Sequence, residues 1–119
     1  MPFEPIVVRR FSESFLTIDK YGRLRVSTEA MNRMNLRPHQ HVVVSVDAEM
    51  RRIGVVKQEL AKVPNASATS IDSRLYVPKV GRRIADKLSL NLANAPFLFE
   101  DIGWIDEGGV RWRAFQLAD

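Results

Sequence analysis

Residues 18–26 read IDKYGRLRV and residues 71–77 read IDSRLYV. Each stretch has an Ile-Asp opening, a turn-forming centre and a strand-like close, and each sits in a longer pattern. Before the first, SFLTI (14–18) carries the β-branched residues of a strand. DKYG (19–22) is a turn, with Asp19 to open it and Gly22 to take positive φ. RLRV (23–26) alternates cation and aliphatic, which predicts a strand with Leu24 and Val26 inward and Arg23 and Arg25 outward. Ser27 is an N-cap for a short helix over 28–34 whose buried side is Ala30, Met31 and Met34. After the turn RPHQ, the segments HVVVSV (41–46) and RIGVVK (52–57) read as antiparallel strands, giving the order β-β-α-β-β.

VPNASATS (63–70) is small, polar and Pro-containing, and reads as a linker. The pattern then restarts. SATSI is a short strand, DSR a tight turn and RLYV another strand. Pro78 suits a first helical position, where its missing N–H costs nothing. A helix over 79–89 places Val80, Ile84 and Leu88 on one apolar stripe. PFLFEDIGWI (96–105) and VRWRAFQL (110–117) are strands joined by DEGG, a strong hairpin signal. The copies correspond at Ile18/Ile71, Asp19/Asp72, Arg23/Arg74, Leu24/Leu75, Val26/Val77 and Leu36/Leu90. On this alignment Asp to Arg spans four residues in the first copy and two in the second. The expected organisation is an N-terminal arm (1–13), a first unit (14–60), a linker (61–70) and a second, divergent unit (71–119). The fold class is mainly β with short helices, a small β/α barrel of two tandem β-β-α-β-β units.

Composition narrows the chemistry. The chain has 119 residues, a hydrophobic fraction of 45% and a charged fraction of 27%, an ordinary globular balance. It has no Cys, so disulfides and thiolate metal sites are excluded. The two His, His39 and His41, read as a turn residue and a strand start, and no metal site or cofactor is expected. No apolar run reaches the ~20 residues of a membrane span, so no membrane partner is expected and the localisation read is cytoplasmic. The net charge of +4, carried mostly by Arg, favours anionic partners, since Arg binds phosphate and guanine in a bidentate way that Lys does not copy. No Gly-rich phosphate loop, Cys nucleophile or Ser-His-Asp register is present, so the chain is not expected to be an enzyme. Four acids fall in EDIGWIDEGG (100–109), and solvation around a hairpin turn accounts for them. Trp104 and Trp112 flank that hairpin and read as a cross-strand pair. Arg111 and Arg113 share a strand face and read as charge guarding an edge.

IDKYGRLRVSTEAMNRMNLRPHQHVVVSVDAEMRRIGVV (18–56) resembles the AbrB-like (SpoVT-AbrB) swapped-hairpin DNA-binding family. The shared features are a strand, a Gly-Arg turn, a second strand, a short helix and a closing hairpin, with GRLRV, MNL and VVVSV in step. Residues 67–117 match more loosely, through RLYVP, GRR and the terminal hairpin. The resemblance implies two units that interleave their hairpins into one barrel-like body, here in tandem as in MraZ-like proteins, forming a pseudo-dimer. It also implies a regulator of transcription that grips double-stranded DNA with arginines of the turn and the helix start. Arg23 and Arg74 match the turn arginine. Arg82 and Arg83 match the helical pair, for which the first copy has Met31 and Asn32. Arg25 would assist, and Arg10 would reach the DNA backbone or minor groove from the arm. A homodimer would restore two-fold symmetry for a palindromic site. The alternative is a protein-binding module on the same scaffold, an antitoxin or a phage-type inhibitor of a host protein. For that reading the discriminating feature is an exposed apolar patch at Met31, Met34 or Trp104.

Overall fold

A computed structural model describes residue 3, residues 13–61 and residues 68–118. The expected arm, with Arg9 and Arg10, and most of the expected linker lie outside the described residues. Among the described residues the strands are β1 (Phe15–Ile18), β2 (Leu24–Val26), β3 (His41–Asp47), β4 (Arg52–Lys57), β5 (Ala68–Ser70), β6 (Tyr76–Val77), β7 (Phe97–Glu107) and β8 (Val110–Leu117). The helices are α1 (Thr28–Arg33) and α2 (Gly81–Lys87), with short 3-10 turns at Gln58–Leu60 and Leu92–Asn94. The strands form one sheet in the order β5-β3-β4-β8-β7-β1-β2-β6. Its two end strands are neighbours in the chain, joined through 71–75, and the Asp72 N–H donates to Tyr76 O across that turn at 2.9 Å. The sheet is therefore nearly closed and barrel-like.

The pairing between halves is reciprocal. β1 of the first half runs antiparallel to β7 of the second, with Leu16 opposite Phe99. β5, at the end of the stretch expected as linker (61–70), leads straight into the second turn and counts with the second half; it runs antiparallel to β3 of the first, with Thr69 opposite Val42. β2 pairs with β6, and β4 with β8. Leu16, Ile18, Leu24, Val26, Val42, Ile53, Val55, Ile71, Val77, Phe99 and Phe115 converge on one core, to which α1 adds Ala30 and Met31 and α2 adds Ile84. Both halves supply that core, so neither half buries its apolar surface alone.

The two turns repeat the same hydrogen bonds. Asp19 Oδ1 accepts from the N–H groups of Tyr21 at 2.9 Å and Arg23 at 3.0 Å. Asp72 Oδ1 accepts from those of Arg74 and Tyr76, each at 2.9 Å. Gly22 (φ 76°) and Leu75 (φ 68°) occupy the same left-handed position. The alignment of Asp19 with Asp72 holds, but the equivalent of Arg23 is Tyr76, and that of Tyr21 is Arg74. Leu24 sits opposite Val77 in the β2–β6 ladder, so these two, and not Leu24 and Leu75, correspond. The two turns are the same length; the arginine has moved by two residues. Pattern matching aligned the letters Arg-Leu, whereas the Asp side chain fixes the backbone.

The helix ends also repeat. Met34 and Leu88 donate to Ala30 O and Ile84 O, and Leu36 and Leu90 donate to Met31 O and Ala85 O. Asn35 (φ 53°) and Ser89 (φ 54°) take the left-handed exit. Counting back from these bonds, Thr28 corresponds to Arg82 and Glu29 to Arg83, in place of Met31 and Asn32. Ser27 caps α1 by accepting from the Ala30 N–H at 3.2 Å. The second helix is shorter than the stripe suggested. It starts at Gly81, three residues beyond Pro78, because Lys79 has φ 72° and breaks the turn between them. Pro78 thus stands in the turn that follows β6 and is not a first helical residue.

The β7–β8 connection is the two-residue turn Gly108–Gly109, with φ 60° and 78°, the combination a type I′ hairpin requires. A register shift between Asp101 and Gly103 leaves Ile102 as a bulge. Trp104 lies opposite Arg113, and Trp112 opposite Ile105, so the two Trp are not a cross-strand pair. Trp112 covers Gly54, whose missing Cβ would stand 3.2 Å from its ring. Trp104 is exposed. β8 lies between β4 and β7, but its ladder with β4 ends at Arg113, so Arg113 does not guard an edge, whereas Arg111 lies beyond that ladder and pairs only with Asp106 of β7.

Gly81 fixes how closely α2 approaches the first turn. A Cβ there would stand 2.3 Å from Gly22 O and 2.8 Å from Leu24 N, both backbone atoms that cannot yield. Gly81→Ala is expected to lower stability by about 1–3 kcal/mol, as overpacking does. Urea unfolding would read this as a lower midpoint, and an unchanged midpoint would disprove the close approach.

Candidate functional site

The α2 approach builds a cleft of about 600 Å3 between the first turn and the start of the second helix. The first turn contributes Tyr21, Gly22 and Arg23. The second turn and β6 contribute Asp72, Arg74 and Tyr76, and the following chain Pro78, Lys79, Arg82, Arg83 and Asp86. Five cations and two carboxylates therefore share the lining. Gly22 is needed at the cleft wall for two reasons. Its φ is 76°, and a Cβ would come within 3.2 Å of Arg82 Cβ.

Arg23 is the only lining cation held by a carboxylate among the described residues. Its Nε donates to Asp19 Oδ2 at 2.6 Å. Its guanidinium also lies 4.9 Å from the ring centroid of Tyr76 and 5.1 Å from that of Tyr21. Burial pushes the Asp19 carboxyl up, but the backbone and guanidinium hydrogen bonds from Arg23 and the Tyr21 N–H outweigh it, and Asp19 is held below its usual value. The hydrogen bond to Asp19 raises Arg23 in turn. With Arg23 half exposed, this pair orients the guanidinium more than it stabilises the fold. Arg74, Lys79, Arg82 and Arg83 make no ion pair with any described residue. Five cations against the carboxylates of Asp72 and Asp86 leave the lining with a positive balance, and an anion entering the cleft lowers the local potential.

Of the six arginines expected from sequence, four line this cleft: Arg23, Arg74, Arg82 and Arg83. Arg25 does not. It extends from β2 beside Thr28 and Glu29, and its Nε donates to Arg74 O at 3.4 Å. Arg10 lies outside the described residues. Sequence reasoning missed Lys79, Tyr21 and Tyr76. The tyrosines carried a signal, since each lies two residues from an arginine in a turn-strand pattern. Lys79 carried none, because its place depends on the positive φ that delays the helix.

A second charged cluster went unread. Asp101, one of the acids assigned to solvent, is buried with its side chain 1% exposed. Arg113 grips it through Nε at 2.9 Å to Oδ1 and Nη2 at 2.8 Å to Oδ2. The Gly103 N–H donates to Oδ1 at 2.8 Å, and Ser14 Oγ donates to Oδ2. Arg33 of α1 stands 3.7 Å away. Burial pushes the Asp101 carboxyl up, and these hydrogen bonds with the Arg113 charge outweigh it, so its value is lowered. The cluster ties β1, β7, β8 and α1 together at the bulge and shares no residue with the lining of the arginine cleft. Arg113, with Arg111, also flanks the Trp104 ring, each 5.1 Å from its centroid.

No family model matches the chain, and no curated protein or solved structure matches it. No described helix is long and apolar enough to cross a membrane.

A carboxyl whose folded value lies below its unfolded value adds stability that is complete above the unfolded value, here 3.8, and is lost as pH falls through the folded one. Urea unfolding of the wild type is therefore expected to weaken below about pH 4, and Asp101→Asn to flatten that dependence. Arg113→Ala removes the close partner of the buried carboxylate, leaving Arg33 at 3.7 Å, and is expected to cost up to about 3–5 kcal/mol at pH 7. A loss below about 1 kcal/mol would mean that the pair is solvated.

Proposed function

We propose that this protein binds double-stranded DNA and regulates transcription, using the arginine cleft as its grip. The observation that carries the reading is the convergence of Arg23, Arg74, Arg82 and Arg83 on one cleft, with three of the four making no ion pair among the described residues. They arrive from two turns and a helix far apart in sequence. Guanidinium groups gathered this way suit phosphate oxygens and guanine edges. The reciprocal pairing β1–β7 and β3–β5 supports a tandem swapped-hairpin arrangement, an AbrB-like pseudo-dimer within one chain. Joining the two units covalently would remove the concentration dependence of their pairing.

One observation favours a second reading, a protein partner. Met31 and Met34 are buried, but Trp104 and Ile102 are 41% and 46% exposed on the β7–β8 hairpin. A rigid aromatic beside an aliphatic bulge is a usual anchor of protein interfaces.

The two readings part on a salt series. Fluorescence anisotropy with random-sequence duplex is expected to show binding at low salt that weakens linearly in log–log form. Arg82→Ala/Arg83→Ala is expected to flatten the slope by about 0.9 for each phosphate that is no longer neutralised. Absence of wild-type binding at low salt would remove the DNA reading and leave the Trp104 surface as the better candidate.

A further inference from the structure

The hydrogen-bond equivalence of the two halves allows every cleft residue to be compared with its counterpart across the pseudo-two-fold axis. That axis passes through the Leu24–Val77 pair. The counterparts of Arg82 and Arg83 are Thr28 and Glu29, by the matching bonds at the two helix ends. Glu29 is not merely neutral ground: it accepts from Arg33 Nε at 3.2 Å, so that cation is already paired with a carboxylate. The counterpart of Gly22 is Leu75. Where Gly22 leaves room for Arg82, Leu75 packs its side chain against the core. The second half also has one extra residue between its turn and its helix. Asp72 to Ile84 spans twelve positions and Asp19 to Ala30 eleven. Lys79, with φ 72°, stands in that stretch and brings a further cation into the cleft.

We infer that the DNA surface is one-sided: the cleft formed by the first turn and the second helix holds the duplex, and its pseudo-symmetric counterpart around Thr28 and Glu29 does not. The inference rests on the DNA reading above. An approximately two-fold body thereby presents a single polar grip, so one chain engages DNA in one orientation and selects a non-palindromic site. A phosphate run approaching the counterpart surface finds Arg33 already held by Glu29, with Arg25 beside them in place of the Lys79, Arg82 and Arg83 group. The number of cations in the cleft bounds the salt slope: five phosphates neutralised would give a slope of at most about 4.5.

The absence of Cys from the sequence makes the test direct, because one introduced thiol is unique. Asp86 and Asn32 are exposed equivalents in the two helices. Asp86→Cys and Asn32→Cys, each carrying a photoactivatable aryl azide, would be irradiated with a bound random-sequence duplex. Crosslinking is expected at least ten-fold stronger from position 86. In parallel, Glu29→Gln and Arg25→Gln are expected to leave the affinity within two-fold, while Arg82→Gln/Arg83→Gln weakens it by at least ten-fold. Comparable crosslinking from both positions, or a tightening of several-fold by Glu29→Gln, would overturn the one-sided grip while leaving DNA binding intact. Failure of the unlabelled wild type to bind at low salt would overturn the DNA reading and this inference with it.

Discussion

The structure depends on strand pairing between the two ends of the chain. β1 finds one of its two partners, β7, in the other half, and β5 finds its one partner, β3, there. A unit of about 45 residues cannot bury enough apolar surface to fold alone, and here each half lacks a side of its own sheet. The β1–β7 and β3–β5 pairings supply that side, and bring Leu16 against Phe99 and Val42 beside Thr69. The core, the near closure of the sheet and the placement of both helices follow from them.

The cleft is a by-product of the same geometry. β2 and β6 pair on the axis, so the turns that precede them are brought side by side. Asp19 and Asp72 tie those turns to identical backbone shapes. On that shared frame the side chains differ. Gly22 opens one side to α2 and Leu75 closes the other; Lys79, Arg82 and Arg83 gather on the open side, while on the other Arg33 is paired with Glu29. Two turns with matching hydrogen bonds can in this way carry different surfaces, because the bonds fix the frame and leave outward side chains free to differ.

The Asp101–Arg113 pair plays a different part. It sits at the bulge of β7, where the ladder is interrupted and a carboxylate can reach the Gly103 N–H. A buried ion pair adds little net energy over a well-packed apolar pair, yet it strongly disfavours any register that separates its members. Its position between β1, β7, β8 and α1 suits it to holding the strand pairing in register, since Ser14 precedes β1 and Arg33 ends α1.

The sequence by itself determined the elements and their order. Period-two alternation in RLRV, the β-branched run in HVVVSV, the Ser27 cap, the Gly-Gly hairpin and the i, i+4 spacing of Ile84 and Leu88 are local signals, and local physics acts on them directly. It also singled out four of the arginines that meet in the cleft. What it could not set was the correspondence between the copies. Arg23 and Arg74 matched as letters, but the Asp-centred turn places Tyr76 where Arg23 would repeat, and the helix exits place Thr28 and Glu29 where Arg82 and Arg83 would. Burial of Asp101, the separation of Trp104 from Trp112 and the interior place of β8 were equally out of reach. Each depends on which strands lie beside one another, and strand neighbours are chosen by long-range packing of the whole core, to which a residue's nearest neighbours in sequence contribute almost nothing.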